Sequence, residues 1–227
     1  LKRAYLILII FALATIYLFV NNGCKKAKDT TPPLILLKGP NPYFLSLDTV
    51  YIEYGAIGQD NVDGDISSKI IITGASAINT SKKGMFLVNY SLTNAAGISY
   101  TATRTVYVWN IADSLTGTFT VLDSCYAADT GRFVSSISTS NTINGQMTFY
   151  NFLFPGDSAL GLMHYNDTIT FNTPLYIGNN DSLISALGVV SVDTSFNALG
   201  QLTTSRAINL YYKWYHNNSY DSCHAIY

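Results

Sequence analysis

The chain has 227 residues, a formal net charge of −1 and only 12% charged positions, so it lacks the basic excess that nucleic-acid binding needs. It holds 17 Tyr, 23 Thr and 21 Ser against a single Glu, Glu53. Strand-favouring residues dominate, and the length predicts two domains, so the expected fold class is all-β.

The chain opens with Lys2 and Arg3, then an uncharged, proline-free run from Ala4 to Val20, closed by Asn21, Asn22, Gly23 and Cys24. This order of basic, apolar and small residues is that of an export signal. An uncleaved membrane helix, which needs about 20 apolar residues, and a plain secretory signal are the alternatives. Gly23-Cys24 resembles the lipobox of bacterial lipoproteins, although Asn21 stands where such boxes usually carry Leu. The resemblance implies cleavage before Cys24 and diacylation of its thiol. Residues 1–24 are therefore read as a lipoprotein signal with its acylation site, and the membrane as a partner through that lipid. The expected location is the cell envelope, as an outer-membrane lipoprotein facing periplasm or exterior.

Residues 25–33 (KKAKDTTPP) are polar and end in two prolines, as a semi-extended tether does, and the three lysines suit anionic headgroups. From Leu34 onward, short apolar or alternating runs are punctuated by turn residues, the pattern of a β-sandwich. Strands are predicted at Leu34–Leu37, Thr49–Ile52, Ile70–Thr73, Gly84–Thr93 and Thr101–Trp109. The segments Pro33-Leu34-Ile35-Leu36-Leu37-Lys38-Gly39, Tyr54-Gly55-Ala56-Ile57-Gly58-Gln59-Asp60-Asn61-Val62-Asp63-Gly64-Asp65-Ile66, Gly84-Met85-Phe86-Leu87-Val88-Asn89-Tyr90 and Arg104-Thr105-Val106-Tyr107-Val108 resemble the Ig-like domain family first named from an insecticidal crystal toxin. The resemblance implies an Ig-like β-sandwich over residues 34–110, a surface habitat and no reaction. Within it, Asp60, Asn61, Asp63 and Asp65 cluster oxygen ligands of the kind calcium takes. The EF-hand spacing fails, and Asx turn chemistry accounts for the same residues; no other cofactor is expected.

Residues 115–227 carry eight further candidate strands: Leu115–Val121, Phe133–Ser138, Gln146–Asn151, Leu160–Tyr165, Thr168–Phe171, Ile184–Val192, Ala207–Tyr215 and Ser222–Tyr227. Eight strands with short turns suit a barrel or a sandwich. Leu115 to Val121 at one end, with Asp221 to Tyr227 at the other, resemble lipocalin-like modules at the C-terminus of exported lipoproteins. With Cys24 acylated, Cys125 and Cys223 form an even pair near the ends of that domain, and a disulfide is expected between them in an oxidising compartment. Tyr211, Tyr212, Trp214 and Tyr215 are the densest aromatic group. Tyr212 and Trp214 share one strand face, either as core or as a platform for stacking sugars.

Ten of the 13 Asp residues are followed by Ser or Thr. Those at Thr30, Thr49, Ser114, Ser158, Thr168 and Ser182 resemble the Asp-Ser/Thr-aliphatic site of O-glycosylation in one large group of Gram-negative bacteria; turn chemistry gives the same enrichment. No Gly-x-Ser-x-Gly, His-Glu-x-x-His, phosphate loop or Cys-x-x-Cys is present, and His164, His216 and His224 are scattered, so no enzyme is expected. The chain reads as a lipid-anchored accessory or binding protein of the envelope, its first domain a spacer and its second a binder of glycan or envelope protein. The alternative is a structural or adhesive component without a small ligand.

Overall fold

The computed structural model describes residues 28–125, 128–152, 156–172, 175–177, 181–196, 202–216 and 219–227; Cys24 and its apolar segment lie outside them. Among the described residues no helix is long and apolar enough to cross a membrane. Two compact units divide the chain: residues 28–36, 56–71 and 91–101 form one, and 37–55, 72–90 and 102–227 the other.

The fold is all-β, an Ig-like sandwich followed by a closed barrel. The sandwich has one sheet of β1 (Leu34–Leu37), β3 (Ala56–Asp60) and β4 (Gly64–Asp65). Its other sheet orders β2 (Tyr43–Ser46), β7 (Ser99–Trp109), β6 (Gly84–Thr93) and β5 (Ile71–Thr73), with β2 parallel to β7. Period-2 alternation buries Val88, Tyr90 and Leu92 on β6, and Arg104, Val106 and Val108 on β7. The strand predicted at Thr49–Ile52 is not formed; the strand lies at Tyr43–Ser46. Asp48 takes a positive φ of 62°, and the amides of Leu47 and Asp48 bond to the carbonyls of Trp109 and Thr80, so the ladder ends there and Val50 and Ile52 point to solvent.

Arg104 is the largest fully buried side chain among the described residues. Its Nη2 donates to the carbonyls of Lys38 and Gly55, and its guanidinium lies 5.6 and 5.7 Å from the ring centres of Tyr54 and Tyr90. Nε and Nη1 have no hydrogen-bond partner among the described residues. Glu53 supplies a nearby negative charge. Its Oε1 accepts from Tyr90 Oη at 2.6 Å and from the Gly55 amide at 2.6 Å, and its Oε2 from Tyr51 Oη at 2.5 Å. Burial disfavours ionisation of Glu53, but these three donors and the Arg104 charge outweigh it and hold the carboxyl below its ordinary range. A depressed folded pKa contributes stability that is present above the unfolded value, about 4.3, and lost as pH falls through the folded one. Denaturant titrations at stepped pH should therefore separate wild type from Glu53→Gln at neutral pH and bring them together in acid; a constant gap at all pH values would contradict the charge assignment.

The barrel comprises β8 (Gly117–Cys125), β9 (Ala128–Thr139), β10 (Gln146–Tyr150), β11 (Ser158–Met163), β12 (Thr168–Phe171), β14 (Asp181–Phe196), β15 (Leu202–His216) and β16 (Ser219–Ile226). Sequential antiparallel neighbours, with β16 on β8 and β12 on β14, close the ring of eight. β13 (Leu175–Ile177) adds a short strand on β14. One stretch of the interior is filled by Phe119, Phe149, Phe152, Phe171 and Tyr227, whose successive ring contacts span 5.1 to 6.5 Å. Tyr227 Oη donates to the Phe152 carbonyl at 2.6 Å. Gly161 and Gly188 face inward and make room for that packing: a Cβ at Gly161 would lie 2.9 Å from Phe149, and one at Gly188 3.1 Å from Ile169.

A polar lock joins β7 to the barrel. Buried Asn110 donates through Nδ2 toward the carbonyls of Ser140, Ile143 and Gln146, and its Oδ1 accepts from the amides of Ala112 and Gly145. Asp113 accepts from Lys83 Nζ at 2.7 Å, Thr139 Oγ1 at 2.5 Å and the Asn110 amide at 3.0 Å. Gly145 takes φ +76°, and a Cβ there would meet the Met163 carbonyl at 2.2 Å, so this hairpin accepts no side chain at that position. Removing the amide strands buried backbone groups, which cost about 1–3 kcal/mol each when unsatisfied. Asn110→Ala should thus lower the unfolding free energy by about 2–4 kcal/mol in urea titration, while Asn141→Ala, at an exposed neighbour, should leave it within about 0.5 kcal/mol.

Candidate functional site

The β15–β16 hairpin separates its side chains sharply. On β15, Ile208, Leu210, Tyr212 and Trp214 enter the barrel, whereas Asn209, Tyr211, Lys213 and Tyr215 lie on the other face. Register places Tyr211 opposite His224, Lys213 opposite Ser222, and Tyr215 opposite Tyr220. Tyr211 and His224 stack at 4.6 Å and 11°. Tyr215 and Tyr220 meet at 4.9 Å, tilted by 50°, and Lys213 Nζ stands 4.8 Å over the Tyr220 ring. His224 Nε2 lies 3.2 Å from Asn209 Oδ1. From Tyr211 to Tyr215 this ladder runs roughly 14 Å along the barrel wall, with rings, an amide, an ammonium and hydroxyls on one surface.

Of the two roles open to Tyr212 and Trp214, the structure gives them the core and not the stacking platform. Tyr212 and Trp214 are only 6% and 7% exposed, inside the core cluster, while Tyr211 is 53% exposed. The period-2 alternation of β15 separates the two faces, but it does not by itself single out the ladder on the outer one. A usable signal was present: Tyr212 and Trp214 continue the apolar line of Ile208 and Leu210, and Tyr211 continues the polar line of Asn209.

The interior carries one further group absent from the sequence reading. Asp123 follows Phe119 and Val121 on the inward face of β8, and Tyr212 Oη lies 2.8 Å from both of its carboxylate oxygens. Burial pushes the Asp123 carboxyl above its usual range, against the Tyr212 hydrogen bond, the Ser124 amide and the His224 charge. Burial likewise pushes the Tyr212 phenol up. An acid with a raised folded pKa favours the folded state most below its unfolded value and loses that contribution as pH rises through the folded one. Asp123→Asn, which keeps an acceptor for Tyr212, should therefore be more stable than wild type in thermal melts at pH 7 and equal to it near pH 3. A destabilisation at both pH values would mean that the carboxylate charge is well accommodated.

The four residues of the acidic loop are each engaged in hydrogen bonds within the protein. Asp60 Oδ1 accepts from the amides of Val62 and Asp63, Asp63 Oδ2 from the Ala95 amide, and Asp65 Oδ1 from the Ser67 amide and hydroxyl. Asn61 Oδ1 accepts from Thr31 Oγ1. Their oxygens serve backbone amide and side-chain donors, and among the described residues no group of three or more His, Cys, Asp or Glu is placed to hold a metal ion. Cys223 is disulfide-bonded, and its Cα lies opposite that of Cys125 in the β16–β8 ladder. Of the Ser and Thr candidates for glycosylation, Thr30, Thr49, Ser114 and Ser158 are exposed and Thr168 is half-buried. Ser182 is 8% exposed, so a glycan has no access to it in the folded chain. Arg206 Nη1 donates to Ser114 Oγ beside a cleft of about 340 Å³ that includes Phe119 and Ile208.

Among solved structures, a lipoprotein of Bacteroides thetaiotaomicron is similar at 16% identity and TM-score 0.34, over 86% of this chain and 98% of that one. A Clostridium perfringens ZmpB structure, comprising a carbohydrate-binding module in complex with GlcNAc and INT domains, is similar at 20% identity and TM-score 0.27, over 86% of this chain and 43% of that one. A second ZmpB structure, with its catalytic domain and two carbohydrate-binding modules, gives 19% identity and TM-score 0.28, over 87% of this chain and 21% of that one. The chain thus spans less than half of either ZmpB structure. No curated protein matches the chain. Residues 35–108 match the family described as bacterial surface protein, Ig-like domain.

Proposed function

We propose that the chain is a lipid-anchored, non-catalytic accessory protein of the bacterial cell envelope whose C-terminal barrel binds glycan through the outer face of β15 and β16. The observation that carries this reading is the cross-strand ladder of Tyr211/His224, Lys213/Ser222 and Tyr215/Tyr220. Sugar faces are apolar and stack on rings, while their hydroxyls need donors and acceptors beside them; Asn209, Ser222 and Lys213 supply those on the same face. The up-and-down order of the eight-stranded ring supports a lipocalin-like reading of residues 115–227, and the match over residues 35–108 supports an envelope location. A Cys125–Cys223 bridge, favoured by their register, would staple the seam between the first and last strands.

The test is binding of extracted envelope polysaccharides, read by calorimetry or affinity electrophoresis. If a sugar on a ring gains what an aromatic pair does, about 0.5–1.5 kcal/mol, Tyr211→Ala and Tyr220→Ala should each weaken binding roughly two- to tenfold, whereas Tyr212→Phe should leave it unchanged. Equal affinity in all four proteins would remove the glycan reading. Anchoring is tested separately: wild type should partition into detergent with the mass of an acylated chain beginning at Cys24, and Cys24→Ala should not.

A second reading, an adhesive component without a small ligand, draws on the sandwich. Phe44 and Tyr107 stack at 5.3 Å and 16° on the exposed face of β2 and β7, and Met85 and Leu87 are exposed on β6. Apolar surface of this kind marks protein contacts. Loss of envelope-protein co-purification in Phe44→Ser, with polysaccharide binding intact, would favour it.

A further inference from the structure

Within the segment read as a tether, Asp29 and Thr31 are bonded to residues of the Ig-like domain. Buried Asn94 points its Nδ2 at Asp29 Oδ2 at 2.8 Å, the Thr31 carbonyl at 3.1 Å and Asp60 Oδ2 at 3.1 Å. Its Oδ1 accepts from the Ile98 amide at 2.8 Å, so both ends of the amide are fixed. Thr31 Oγ1 lies 2.6 Å from Asn61 Oδ1 and 2.9 Å from Asp29 Oδ1, and the Thr31 amide donates to Asp29 Oδ1. Asp60 is itself held by the amides of Val62 and Asp63, and Asp63 by that of Ala95. One small network thus joins the tether, the Asp60–Asp65 loop and the Asn94–Ile98 loop, all within a single compact unit.

From this geometry we infer that the acidic loop is a clasp that shortens the membrane leash and turns the loop end of the Ig-like unit toward the lipid headgroups. The inference rests on the reading of Cys24 as the acylated residue. An extended chain advances about 3.4 Å per residue, so a free tether from Cys24 to Leu34 reaches roughly 34 Å, but from Cys24 to a clasped Asp29 only roughly 17 Å. The partner of this end of the unit is the bilayer surface itself. The sequence carries Lys25, Lys26 and Lys28 between Cys24 and the clasp, and lysine side chains pair with anionic headgroups. Val62, on the Asp60–Asp65 loop, is exposed and available for a probe.

Two measurements test this separately from acylation. In the full-length Cys24→Ala protein, trypsin should cut after Lys28 at least tenfold more slowly than in the same protein carrying Asn94→Ser, because the clasp denies the protease an extended Asp29–Thr31. Thr31→Val, which leaves the Asn94 amide in place, should give an intermediate rate. Equal rates in all three overturn the clasp. The acylated protein, with a fluorophore on Val62→Cys, is then placed in phosphatidylethanolamine–phosphatidylglycerol vesicles bearing a headgroup acceptor. Energy transfer should be high and should fall with Asn94→Ser; unchanged transfer overturns the orientation. Absence of the chain from the vesicles would instead overturn the acylation on which the inference rests.

Discussion

Closure of eight strands into a ring leaves each barrel side chain two destinations, the packed interior or the outer wall. The hydrogen-bond register then fixes which residues share a wall position. This constraint builds both features of β15 and β16. It sends Ile208, Leu210, Tyr212 and Trp214 inward, where burial of each apolar side chain is worth about 1.5–3 kcal/mol, and thereby obliges Tyr211, Lys213 and Tyr215 to line the outside beside Tyr220, Ser222 and His224. The ladder is a geometric consequence of the core. Its rigidity follows for the same reason, since shifting the strand by one residue would exchange the two faces. At the irregularity between Leu183 and Ser185 on β14, two neighbours, Ile184 and Ser185, are both exposed.

Buried polar side chains perform the joining that apolar packing does not specify. Asn110 gathers the carbonyls and an amide of the Ser140–Gln146 hairpin, Asn94 gathers the tether and two loops, and Arg104 reaches two carbonyls between tyrosine rings. An amide has both donors and an acceptor, so one side chain satisfies several backbone groups at once. Where an acid is buried instead, the balance of its donors against its burial sets the direction of its pKa shift. Glu53 is held low by its donors, whereas Asp123 is raised by its burial in spite of the Tyr212 phenol and the Ser124 amide.

The fold was legible where the signal is local. The alternation of Phe86 to Leu92 and of Phe119 to Asp123 gives strand and face together, and all eight barrel strands stand where short runs predicted them, most of them longer. The misses have non-local causes. Ala56–Asp60 and Gly64–Asp65 contain Gly, Gln and Asp, poor strand formers that pair only because β1 and a tight turn hold them. Thr49–Ile52 has strand composition but follows the left-handed Asp48. Arg104 shares its face with Val106 and Val108, so the period-2 pattern pointed inward while its charge suggested solvent. The ladder required knowing which face of β15 the closed ring consumes, and the clasp required bringing Asp29, Asp60 and Asn94 together across more than 60 residues.

Acrylamide quenching of tryptophan emission in Trp109→Phe protein, which leaves Trp214 as the sole indole, tests the assignment of faces most directly. The account predicts a shielded, blue-shifted Trp214 whose emission and quenching are unchanged by saturating polysaccharide, because ligand sits on the opposite side of the strand. A readily quenched indole, or one that ligand protects, would contradict it and return the site to the Tyr212 and Trp214 face.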